Sequence, residues 1–107
     1  MKHLKLFEET EKSPQINDWV YAYDNLFDSV NMQKYIQTHI GQIVNTNRYM
    51  TKYLNIPKYM INDFIHAGNY DDINNNATIQ LFQNEITYWG KDKNELEAKI
   101  ASVKYNL

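Results

Sequence analysis

The sequence predicts a mainly α-helical domain, a compact set of four or five helices with a helix-turn-helix-like centre, and three observations predict it. From Thr46 to Ile65 the run TNRYMTKYLNIPKYMINDFI sets Met50, Leu54, Ile56, Ile61 and Phe64 in the rhythm of two helices joined by a tight elbow. From Ser13 to Val30 apolar residues recur at a 3.6-residue period behind a Ser-Pro start. From Asp92 onward a capping box opens another amphipathic run.

Residues 1–12 read as a flexible N-terminal arm with Leu4, Leu6 and Phe7 as its apolar anchors, and residues 13–107 as a single helical domain. Ser13 suits an N-cap and Pro14 a first helical position. Behind them Ile16, Trp19, Val20, Tyr23, Leu26, Phe27 and Val30 share one arc, which leaves Asp18, Tyr21, Asp24, Asn25 and Asp28 outside it. No Lys or Arg lies between Lys12 and Lys34, so that helix is expected to show an acidic outer face. A second helix is expected from Met32 through Tyr35, Ile36, Ile40, Ile43 and Val44, ending near Asn45 or running on to Leu54, with Gly41 tolerated inside it at a cost of ~1 kcal/mol.

At the elbow Asn55 tolerates positive φ, Ile56 plugs the turn, and Pro57 starts a helix to about His66 that Gly68 ends. The polar run NYDDINNN at 69–76 reads as a loop. Residues 78–89 fit a helix with Ile79, Phe82, Ile86 and Trp89 on one face. They also fit a β-hairpin turning at Gln83-Asn84, with Leu81 opposite Ile86 and Ile79 opposite Tyr88. Their Thr, Ile, Phe, Tyr and Trp content favours the hairpin. Asp92 and Glu95 then cap a last helix, with Leu96, Ile100 and Val103 facing inward.

Composition bounds the function. A chain of 107 residues is one domain by size, and its hydrophobic content of 43% is ample for a core. No apolar run reaches the ~20 residues of a membrane span, and the opening carries no secretory signal. The expectation is a soluble, cytoplasmic protein with no membrane partner. Zero cysteines exclude disulfides, thiolate metal sites and cysteine nucleophiles. Phe, Tyr, Met, Ile, Asn and Lys make up 52 of the 107 residues, against 11 for Gly, Ala, Arg and Pro. An AT-rich coding sequence accounts for that bias and for the abundance of Asn and Tyr.

The residues of catalysis are sparse. Ser13, Ser29 and Ser102 have no nucleophile-elbow context, and three glycines cannot build a phosphate-cradling loop. His3, His39 and His66 lack zinc spacing, and the Asp63–His66 pair is better read as a His near a helix C-terminus. Asp72, Asn74 and Asn76 match the start of a calcium loop, but Ala77 and Gln83 replace its turn Gly and its bidentate Glu. The expectation is no enzyme, no metal and no cofactor.

Two binding surfaces follow from the expected helices. The acidic face carrying Asp18, Tyr21, Asp24, Asn25 and Asp28 would complement a basic patch on a partner, with Tyr21 as its aromatic anchor. The helix-turn-helix reading would send Lys58, Tyr59 and Asn62 toward base edges, with Arg48 and Lys52 near phosphates. A net charge of -2 and a single Arg disfavour DNA, because duplex affinity rests on clustered cations.

The opening MKHLKLFEE, Met1 to Glu9, resembles leaders on small accessory proteins of large tailed phages, some of which send internal proteins to the prohead and are cut after a Glu. This sequence has Thr10 where such leaders often carry another Phe. The resemblance implies a phage-type protein in a bacterial host cell. Its expected function is non-enzymatic: association with, and inhibition of, a host protein or nucleoprotein complex, for example as an anti-CRISPR. The alternatives are a small helix-turn-helix transcriptional regulator and an internal virion protein.

Overall fold

A computed structural model describes residues 13–105, with side chains to Val103. Strands β1 (Trp19–Tyr21), β2 (Gly41–Asn45), β3 (Met50–Leu54), β4 (Asn69–Asp71), β5 (Asn76–Gln80) and β6 (Tyr88–Gly90) form one sheet in the order β4-β5-β3-β2-β1-β6. Every neighbouring pair is antiparallel. Three helices complete the described chain: α1 (Val30–Thr38), α2 (Ile61–Ala67) and α3 (Lys93–Tyr105). The mainly α-helical, four-to-five-helix domain is therefore corrected to a sheet dressed with helices. The arm expected at 1–12 lies outside the described residues.

The helix expected from Ser13 to Val30 does not form. Its Trp19-Val20-Tyr21 core is strand β1, entered through a turn at Asn17, whose φ is 74°. The 3.6-residue arc was satisfied by a strand covered on both faces. Val20 and Ala22 enter the core, and Tyr21 is buried on the opposite side. Such strands read as continuous apolar runs, and periodicity alone does not separate them from buried helix.

The second expected helix is cut short in the same way. Ser29 caps α1, its Oγ accepting the Met32 N–H at 3.2 Å. His39 turns extended at φ -131°, ψ 151°, and the chain continues as β2. Gly41 sits opposite Val20, where an added Cβ would lie 2.5 Å from Thr51 Cγ2 and 2.8 Å from Tyr53 Cζ. It is a close-approach residue of the sheet.

The helix-turn-helix is also overturned, because its first limb is β3. Its second limb survives. Asn55 has φ 56°, Ile56 is buried, Lys58–Met60 makes a 3-10 turn, and α2 buries Phe64 completely. Ile56 and Phe64 close a strand–turn–helix corner as readily as a helical elbow, since both need one aliphatic plug and one large apolar anchor.

The expected loop at 69–76 is a hairpin, β4 and β5, pinned by Asp71 Oδ1 accepting the Ile73 N–H at 3.0 Å. The 78–89 hairpin is corrected too. Residues 76–80 and 88–90 are strands, but β5 pairs with β3 and β4, while β6 pairs with β1. A 3-10 turn at Gln83–Glu85 carries the chain between them. The last helix forms, with Asp92 Oδ1 accepting Asn94 N–H at 2.8 Å and Glu95 N–H at 3.1 Å, Leu96 fully buried, and Ile100 and Val103 only half-buried.

The core fills one face of the sheet. Met32, Tyr35 and Ile36 of α1, with Met60 and Phe64, pack on Ile43, Tyr53 and Ile79. Tyr35 meets Phe64 edge-on at 5.3 Å between ring centroids. The Tyr53 hydroxyl is buried there with no hydrogen-bond partner among the described residues, and burial pushes its pKa up. On the opposite face α3 lies over β6 and β1, and no other described element covers the β2-β3-β5 part. No described helix is long and apolar enough to cross a membrane.

Candidate functional site

The 22–29 loop and the 81–87 segment meet at one carboxylate. Glu85 is 3% exposed, and its two oxygens accept the backbone N–H groups of Leu26 at 2.6 Å and Phe82 at 2.7 Å. A second tie joins the same segments, with Thr87 N–H donating to the Tyr21 carbonyl at 2.8 Å and Tyr23 N–H to Thr87 Oγ1 at 3.0 Å. Amides held on two oxygens of one carboxylate keep the backbones of Leu26 and Phe82 close together. Both side chains nevertheless point outward, 70% and 60% exposed, with Tyr23 half-exposed beside them. Exposed apolar side chains that lie together, with polar residues around them, form the kind of patch that marks a contact surface.

The segments that carry this pair hold acids and no bases. Asp24 and Asp28 are exposed on the same loop, on either side of Leu26. Next to Asp28, a hollow of about 470 Å³ is lined by Phe27, Ser29, Met32, Asp63 and His66. Ser29 Oγ donates to Asp63 Oδ1 at 3.1 Å, joining the loop to α2. No Lys or Arg occurs between Lys12 and Lys34 or between Lys58 and Lys91, so the segments that build this surface contain none. The result is an apolar centre with an acidic rim.

Of the five residues expected on an acidic helix face, the structure keeps two at the surface. Asp24 and Asp28 are exposed, whereas Asp18, Tyr21 and Asn25 are buried. Asp18 accepts the Gln15 N–H at 2.8 Å and pairs with Lys91 at 3.5 Å. The Tyr21 hydroxyl donates to the Gln37 carbonyl at 2.7 Å, and Asn25 Nδ2 donates to the Ala22 and Gln33 carbonyls, each at 3.2 Å. Burial raises the Tyr21 pKa, with Tyr23, Tyr88 and Asp24 adding to it. These three residues hold the loop in shape, and Tyr21 is buried where Leu26 and Phe82 are exposed. Leu26 falls within the expected apolar arc of the first helix, and Phe82 turns inward only in the helical reading of 78–89, so the sequence did not single out the pair.

The residues of the DNA-binding alternative do not assemble on a helix pair. Arg48 lies in the β2–β3 turn, Lys52 on β3, Lys58 and Tyr59 on the 3-10 turn, and Asn62 on α2. The calcium-like Asp72 and Asn74 occupy the β4–β5 turn. There the neighbouring Asp71 is held below the usual carboxylate range by hydrogen bonds from the Asn74 side chain and backbone. Among the described residues no three His, Asp or Glu side chains gather around a metal position.

A second hollow, a cleft of about 810 Å³, opens between α3 and the uncovered sheet face, reaching the C-terminal end of α1. Trp19, Gln42, Lys52, His39, Lys93 and Glu97 are among its walls. Comparisons with protein-family models, with curated proteins and with solved structures give no match to this chain.

Proposed function

We propose that this chain is a non-enzymatic binding protein that docks on a basic, partly apolar surface of a host macromolecular complex and inhibits it. This is the phage-type role to which its opening residues and composition point. The observation that supports it is the Leu26–Phe82 pair, held open by the buried Glu85 carboxylate and rimmed by Asp24 and Asp28. Exposed apolar anchors supply contact energy, while a rim of one sign steers association and rejects like-charged surfaces. The helix-turn-helix regulator loses its geometric basis with the strand at Met50–Leu54.

The test is capture from host lysate with matched baits: the native chain, Leu26→Asp with Phe82→Asp, and Asp24→Lys with Asp28→Lys, each checked for native circular dichroism. One complex enriched by the native bait and lost from both variants supports the reading. Equal enrichment by all three baits, or none by the native chain, overturns it.

A further inference from the structure

The geometry points to a nucleotide-binding site in the cleft between α3 and the open sheet face, distinct from the acidic surface. Trp19, Gln42 and Lys52 are direct cross-strand partners on β1, β2 and β3, so an aromatic ring, an amide and an ammonium line up across the floor. Strands lie about 4.8 Å apart, which spreads this row over roughly 10 Å, the scale of one nucleotide. Lys93, at the start of α3, adds a second ammonium, its Nζ 5.2 Å from the centre of the Trp19 ring.

The acceptors are available as well. Gln42 Nε2 is used on the Asn17 carbonyl at 3.1 Å and Gln37 Nε2 on the Tyr23 carbonyl at 3.1 Å, which leaves each amide oxygen for a ligand donor. His39 Nδ1 lies 2.8 Å from the Tyr35 carbonyl. A carbonyl only accepts, so Nδ1 carries the proton and Nε2 of the neutral ring is an acceptor. The His39 ring stacks on Tyr35 at 3.8 Å, which extends an aromatic surface along the cleft wall. Two ammonium groups, three acceptors and stacked rings match a phosphate, the hydroxyl and amine donors of a nucleoside, and a planar base. A volume of about 810 Å³ is ample for one such unit. Glu97 is the acid in the wall, set against Lys52 and Lys93.

The test is calorimetric titration of the full chain with adenosine and uridine monophosphates, ribose 5-phosphate, inorganic phosphate and a short oligothymidylate. Saturable binding of a monophosphate about tenfold tighter than of either base-free phosphate is expected, with a loss of about tenfold in Lys52→Ala and no change in Leu26→Asp. Thermal melting is the check that Lys52→Ala remains folded. Tighter binding of the oligomer than of the monophosphates would identify the ligand as single-stranded nucleic acid, and equal binding as a free nucleotide. Absence of saturable binding, equal affinity for inorganic phosphate, or indifference to Lys52→Ala would overturn the proposal.

Discussion

At the scale of single residues, two buried polar groups have opposite fates. Glu85 is fully used, with each oxygen accepting one backbone N–H. Its removal strands two amides, so we expect Glu85→Ala to destabilise the fold by about 2–3 kcal/mol in denaturant melts. Tyr53 is the reverse case, a buried hydroxyl with no partner among the described residues. Its pKa is raised on folding by burial, with Tyr35 and Glu85 adding to the effect. The folded chain thus holds this proton more tightly than the unfolded chain does. The associated stability is whole below the ordinary tyrosine value of about 10 and is lost as pH rises through the folded value. We expect Tm to fall above about pH 10, and to fall less in Tyr53→Phe. At neutral pH the same variant should match or exceed the native chain, by up to about 1 kcal/mol, because it leaves no unsatisfied hydroxyl.

Individual elements show where local signals decide and where they do not. Some caps and breakers were legible, although no helix follows the expected Ser13-Pro14 start. Ser29 aside, Asp92 was identified from Glu95 three residues on, Asn55 takes the positive φ expected of it, and Gly68 N–H closes α2 on the Phe64 carbonyl. Asp92→Ala should cost about 1 kcal/mol and fray α3, seen as lost helical circular dichroism. Strand pairing was not legible. Gly41 looks like a tolerated helix residue, yet in the sheet it leaves room for Thr51 and Tyr53. Gly41→Ala should therefore destabilise by about 1–3 kcal/mol through overpacking, where a helical Gly41 would have gained from the same change. Unfolding midpoints of that one variant separate the two assignments.

For the whole molecule the controlling feature is how charge is distributed. Cations are missing from the long stretches that build the acidic surface, while Lys52 and Lys93 line the cleft. A net charge of -2 conceals this division. Partner association at the acidic surface should slow as salt rises, chiefly through the on-rate, because exposed charges beyond about 8–10 Å are screened. Stopped-flow association of the captured complex at low and high salt reads this directly. A salt-independent on-rate would remove the electrostatic part of the docking account.

By itself the sequence determined the Asp92 cap of the last helix, the positive-φ turn at Asn55 with its Ile56 plug and Phe64 anchor, and the acidic character of the Tyr23–Asp28 stretch. Each of these depends on side-chain chemistry within a few neighbouring residues. Tertiary structure alone decided that Trp19–Tyr21, Gly41–Asn45 and Met50–Leu54 are strands, since a short apolar run satisfies either period until a partner strand takes its backbone hydrogen bonds. It also decided which acids reach water. Asp18 is drawn inward by Gln15 and Lys91, while Asp24 and Asp28 stay out around Leu26, because Glu85, far along the chain, fixes the course of their loop.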